Sequence, residues 1–113
     1  KIYQKIIKTF AMKFLIITCV KEYQDEVIKI FKEASIAAFS VTDVTGFKDN
    51  HVEGLMDGWF ASGDEKFDSL VIFSFTGAAN ADKGIELINQ YNKVSETRFP
   101  IRAFIVPVEK SNL

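Results

Sequence analysis

The sequence predicts an α+β fold of the ferredoxin-like, split βαβ kind: an antiparallel four-stranded sheet with two helices on one face. Three observations predict it. Apolar runs of strand length alternate with segments of helical period in the order βαββαβ. Two of those runs, around Phe14–Val20 and Leu70–Phe75, are apolar on both of their alternating sets, as a sheet buried on both faces requires. The chain has 113 residues, the length of one domain.

Composition excludes several classes. The chain is 48% hydrophobic and 26% charged, which suits a globular domain rather than a disordered one. A formal net charge of -1 removes any electrostatic case for nucleic acid at the level of the whole chain. The single cysteine, Cys19, cannot form an internal disulfide, so a reducing cytoplasm is the natural compartment. No apolar run reaches the roughly 20 residues that a membrane helix needs.

Residues 1–11 are basic and lack a clean strand or a helix cap. A better strand opens at Met12, which is the expected natural start, with residues 1–11 an upstream extension. A secretory signal with its apolar core at Phe10–Val20 is disfavoured, because Lys13 interrupts that core and no Ala-x-Ala site follows. A lipoprotein reading through Cys19 would want a small residue before it, and Thr18 is a poor choice.

The first strand is expected over Lys13 to Val20. The first helix is expected from Glu22 to Ser35, with Tyr23, Val27, Ile30, Phe31 and Ala34 on one stripe. Asp25 and Lys29 form a favourable i,i+4 pair, and the early acids suit the helix dipole. The second strand is expected from Ala38 to Thr45, where Val41, Thr42, Val44 and Thr45 are β-branched. Gly46 is expected to break it, where the backbone needs positive φ or a close approach.

A long loop then runs from Gly46 to Lys66, and its length marks it as the place to look for function. From Lys48 to Lys66, three glycines, many charges and no strand pattern of useful length predict a mobile segment. Trp59 and Phe60 either pack on the core or form an exposed apolar tip of the kind that marks an interaction site.

The third strand is expected over Phe67 to Thr76. The second helix is expected from Asn80, as N-cap, to Val94, with Ala81, Ile85, Ile88 and Tyr91 buried and Asp82 and Glu86 early. Ser95 to Arg98 is a polar connector, and Pro100 stops the helix. The last strand is expected over Ile101 to Val108, with Pro107 marking an edge or an exit. Two helices cover one face of such a sheet, yet the first and third strands are apolar on both. The other face is therefore expected to pack against another copy of the chain.

Catalytic motifs are absent: there is no Gly-x-Ser-x-Gly, no P-loop, no Gly-x-Gly-x-x-Gly and no Cys-x-x-Cys. Cys19 sits in an apolar strand, where a thiol is buried and inert, so it is not expected to act with His51 as nucleophile and base. The chain is not expected to be an enzyme. Asp49, His51 and Glu53 alternate, so extended backbone would put their side chains together as ligands for a divalent metal. An ordinary solvated loop is the alternative. Arg98 and Arg102 flank the start of the last strand, where each suits either a phosphate or carboxylate ligand or a surface ion pair.

Val41-Thr42-Asp43-Val44-Thr45-Gly46-Phe47 resembles the end of the second strand in PII signal-transduction (nitrogen regulatory) proteins, where a Gly-Phe pair opens the long T-loop. Phe104-Ile105-Val106-Pro107-Val108-Glu109 resembles that family's last core strand, and Met12-Lys13 with the later Asp25-Glu26-Val27 fits its start. The resemblance covers Met12 to Lys110 and leaves 111–113 as a tail.

The resemblance implies a non-enzymatic trimer of ferredoxin-like subunits. Such a trimer senses small molecules in clefts between subunits and moves its T-loop against a partner, often a membrane transporter or an enzyme. It places Gly46, Phe47 and Asn50 at the T-loop base that lines the effector cleft, and Arg102 at a phosphate-contacting position. Lys48, Trp59 and Phe60 fall on the loop that would meet the partner.

The departures are specific. The family's Gly-rich nucleotide loop is replaced by Ser95 to Ile101, so backbone N–H groups that would cradle phosphates are missing and family-type ATP binding is not expected. The loop is shorter and lacks the family's modified tyrosine. Asp49 stands where a basic residue is common. The resemblance is thus to a divergent, PII-like protein, with a small anion or a divalent metal as the ligand its residues suit. Some such relatives are associated with heavy-metal efflux pumps or bicarbonate transport, which gives the Asp49, His51, Glu53 set its interest. The rival readings are a CutA-like metal-tolerance trimer of the same fold, whose Trp-x-Gly run after the second strand is not apparent here, and a ligand-free oligomeric module.

Overall fold

The computed structural model describes residues 12–47 and 66–113. The sequence expectations for residues 1–11 and for Lys48, Asp49, Asn50, His51, Glu53, Trp59 and Phe60 lie outside the described residues.

The fold class is the one the sequence predicts. Strands β1 (Met12–Val20), β2 (Ser40–Phe47), β3 (Lys66–Gly77) and β4 (Arg102–Pro107) form one sheet in the order β2-β3-β1-β4, every pair antiparallel. Helix α1 (Gln24–Glu33) follows β1, and helix α2 (Ala78–Ser95) follows β3. Strict alternation sorts the strand residues. Leu15, Ile17 and Cys19 of β1 and Leu70 and Ile72 of β3 point to the helices, and all are almost completely buried. They pack with Val27, Ile30 and Phe31 of α1, Ile88 of α2 and Ile101 to make the core. Each large side chain buried there stabilises the fold by roughly 1.5–3 kcal/mol.

The element ends differ from the sequence expectation by a few residues, each for a local reason. The expected first turn of α1 is a tighter 3-10 turn, Lys21–Tyr23. It sets the Tyr23 ring edge-on to Tyr91, with centroids 5.9 Å apart. Ser35 lies beyond the helix at φ 61°, in the left-handed region. There its N–H donates to the Lys32 carbonyl at 3.1 Å, and the Ile36 N–H donates to the Phe31 carbonyl at 2.8 Å. This Schellman motif satisfies the last carbonyls of the helix, and buried Ile36 and Phe31 supply its apolar contact. β2 starts at Ser40 rather than Ala38, because the Ala38 carbonyl accepts from Ser74 Oγ at 2.6 Å instead of joining the ladder.

Two further expectations are corrected. Asn80 is not the N-cap of α2. Gly77 takes that position with extended backbone and no side-chain cap, and Asn80 sits in the first turn with Nδ2 donating to the Ser35 carbonyl at 3.4 Å. The first turn carries no acid, since Asp82 falls just past it. Gly46 does not break β2: it stays in the ladder opposite Phe67, and the strand runs on to Phe47. The backbone hydrogen bonds of β3 outweigh the weak strand propensity of glycine at this position.

The second sheet face carries Phe14, Ile16, Val71, Phe73, Phe75, Phe104 and Val106. Phe14 stacks on Phe75 with centroids 4.6 Å apart and meets Phe73 edge-on at 5.7 Å. Phe75 is 59% exposed, Val106 42% and Phe104 38%. Among the described residues no helix covers this face, in agreement with the doubly apolar pattern of β1 and β3.

Candidate functional site

The predicted ligand residues that the structure describes gather at one end of the sheet, where β1 and β2 finish and β3 and β4 begin. Arg102 is the first residue of β4 and lies opposite Thr18. Thr18 lies opposite Val71, and Val71 opposite Thr42, so Arg102 and Thr42 end one row that crosses all four strands. Gly46 is four residues further along β2 than Thr42. Three strand spacings are about 14 Å and four residues of strand about 13 Å, which puts the two backbones roughly 20 Å apart. Gly46 and Arg102 of one chain are therefore too far apart to hold one small ligand. They lie on the two opposite edge strands of the described sheet.

Arg102 opens β4, and Arg98 lies in the connector before it. Lys21 is committed to Asp43, with Nζ 3.3 Å from Oδ1. Arg98 and Arg102 form no ion pair among the described residues. Arg102 faces the same side as Phe104 and Val106, and its Nε is buried without a hydrogen-bond partner. Leaving such a donor unmet costs about 1–3 kcal/mol, which an arriving acceptor would recover. Phe47 closes β2 beside Gly46.

Sequence reading missed the residues that shape the start of β4. Helix α2 ends on Glu96 at φ 50°. Thr97 Oγ1 then hydrogen-bonds the Tyr23 hydroxyl and accepts from the Phe99 N–H at 3.0 Å. The Ile101 N–H donates to Asn92 Oδ1 at 2.9 Å, and Asn92 Nδ2 donates to the Ile101 carbonyl at 2.8 Å. Ser95–Ile101 is thus a pinned connector. No sequence motif announces these pins; the only signal is a set of hydrogen-bonding residues around a proline.

Cys19 is 3% exposed on the helix side of β1. Burial first, and the charge of Glu22 second, push its thiol up to about 11. Such a thiol holds its proton at neutral pH and is a poor nucleophile. Among the described residues no three His, Cys, Asp or Glu side chains cluster as metal ligands, and no helix is long and apolar enough to cross a membrane.

No family model matches the chain, and no curated protein matches it either. Solved structures do. A DUF3240 family protein from Shewanella baltica superposes with a TM-score of 0.62 at 14% identity, over 91% of this chain and 96% of that one. A protein described as a putative PII-like signaling protein from Thermus thermophilus gives 0.57 at 10% identity, over 83% of each chain. The GlnK–ATP complex of B. subtilis gives 0.54 at 12% identity, over 84% of this chain and 82% of that one. At such identities the likeness establishes the fold, the ferredoxin-like fold shared with PII-like proteins.

Proposed function

We propose that this chain is a divergent PII-like signalling protein rather than an enzyme. It works in the cytoplasm as a homotrimer, takes a small anion in the clefts between subunits, and controls a partner, a transporter being the first to test, through the segment 48–65. The observation that carries the reading is the division of the predicted site between two edges. Gly46 and Phe47 stand on β2, and Arg102 opens β4 roughly 20 Å from Gly46 in the same chain, with Arg98 in the connector before it. A ring of copies that sets the β2 edge of one against the β4 edge of the next brings the two halves together. The exposed apolar face with Phe14, Phe73 and Phe75 supplies the surface for such a ring. The shared fold of the PII-like signaling protein and of GlnK adds support for the class.

Light scattering tests it. The expected mass is about three times the 12.8 kDa of the chain. A stable monomer at micromolar concentration overturns the reading, because one chain alone does not complete the site. Mixing Gly46→Trp and Arg102→Gln subunits tests the division further, since only mixed assemblies would keep some intact clefts.

A further inference from the structure

We infer that the anion held at the start of β4 is a small single-headed oxyanion gripped by arginine side chains, and that the connector leading into β4 excludes a nucleotide polyphosphate. This rests on the sensor reading above and names the ligand class of the same site.

A polyphosphate is held by several backbone N–H groups that converge from a turn or a helix N-terminus. Here three successive positions offer none. Pro100 has no N–H, the Phe99 N–H is given to Thr97 Oγ1, and the Ile101 N–H is given to Asn92 Oδ1. The arrangement does not loosen readily. The Thr97 hydroxyl is also engaged by Tyr23, and the Asn92 amide holds the Ile101 carbonyl as well. Freeing the Phe99 N–H would break the first pin, and freeing the Ile101 N–H the second.

The surrounding field acts the same way. The connector leaves the C-terminus of the 18-residue helix α2, whose dipole presents its negative end, and exposed Glu96 adds a carboxylate. Arg98 and Arg102 oppose these, with Lys93 in the last turn of α2, while Lys21 is paired with Asp43. Guanidinium groups suit a single oxyanion head, which each can meet through a planar fork. They do not match three linked phosphates beside a helix C-terminus.

The test is calorimetric titration of the full chain with sodium acetate, sodium bicarbonate, orthophosphate, ADP and ATP, with light scattering on the same samples. At least one small oxyanion is expected to bind, ATP is expected to bind no more tightly than orthophosphate, and Arg102→Gln is expected to weaken the small oxyanion by about tenfold or more. Arg98→Gln is the second variant, and circular dichroism establishes that each folds. Among the probes, acetate or bicarbonate preferred over orthophosphate marks a planar carboxylate-type ligand, and the reverse marks a single phosphate. ATP or ADP binding more than about tenfold tighter than orthophosphate overturns the inference while leaving a trimeric sensor standing. Small-oxyanion binding that both arginine variants leave unchanged overturns it, as does the absence of any binding by the trimer. A monomer overturns the underlying reading instead.

Discussion

Asn92 and Ile101 are joined by two hydrogen bonds that run in opposite directions, one from the Ile101 N–H to Asn92 Oδ1 and one from Asn92 Nδ2 to the Ile101 carbonyl. The side-chain amide acts toward Ile101 as a neighbouring strand would. Ile101 is 2% exposed, so its peptide groups have little water to turn to if Asn92 is removed. Asn92→Ala is expected to cost about 1–3 kcal/mol, since two bonds are lost and two backbone groups are left unmet. Asn92→Asp keeps the acceptor but sets a carboxylate against the Ile101 carbonyl near the helix C-terminus, and should cost at least as much. Urea unfolding at neutral pH measures both.

Ser35 occupies the left-handed position of a Schellman motif that glycine usually fills. A side chain there is strained, and Ser35→Gly removes the strain without touching the Lys32 and Phe31 carbonyl bonds. The expected gain is about 0.5–1 kcal/mol, smaller than the full left-handed penalty because glycine also frees the unfolded chain. An unchanged or lower urea midpoint would contradict it.

Element order and the buried stripes were legible because they rest on periodicity. Leu15, Ile17, Leu70 and Ile72 point to the helices as alternation requires, and Val27, Ile30 and Phe31 do so at helical spacing. The second apolar face was legible for the same reason, in Phe14, Phe73 and Phe75. Termini were less so. Asn80 looked like a cap because its type favours one, but its amide reaches Ser35 across space instead. Gly46 looked like a break because its own propensity is weak, but pairing with β3 holds it in the strand. The Arg98 and Arg102 pair was legible by residue type. Its separation from Gly46 was not, because that depends on which strands become the sheet edges.

Cys19 predicts a pH dependence. Its thiol is pushed up to about 11 in the folded chain, whereas an unfolded cysteine titrates near its ordinary value of 9.0. Between these values the folded state keeps a proton that the unfolded state has released. Stability therefore falls as pH rises above about 9, and the loss levels off near 11. At pH 10 the cost relative to pH 8 is expected to be about 1–2 kcal/mol. Other groups titrate there too, so the measurement is the difference between wild type and Cys19→Ala in urea unfolding at the two pH values. A Cys19 contribution should vanish in the variant. Equal losses in both chains would show that Cys19 is not the source.

The apolar face gives the most decisive variant. Phe75 is 59% exposed in the single chain and stacks on Phe14, so a charge there does little to the core. Losing the ring pair should cost the subunit about 0.5–1.5 kcal/mol. At an interface between copies the same charge would be buried without a partner, which costs far more than the subunit loses. Phe75→Lys is therefore expected to fold and to run as a monomer of about 12.8 kDa, where the wild type is expected to run as a trimer. Val94→Lys is the control. Val94 is 79% exposed near the end of α2, on the helical layer rather than on the open sheet face, and its replacement should leave the trimer intact. Light scattering reads both variants, and circular dichroism reports whether each has folded. A folded Phe75→Lys trimer would place the interface elsewhere on the molecule. Loss of the trimer in Val94→Lys alone would move it to the helical layer.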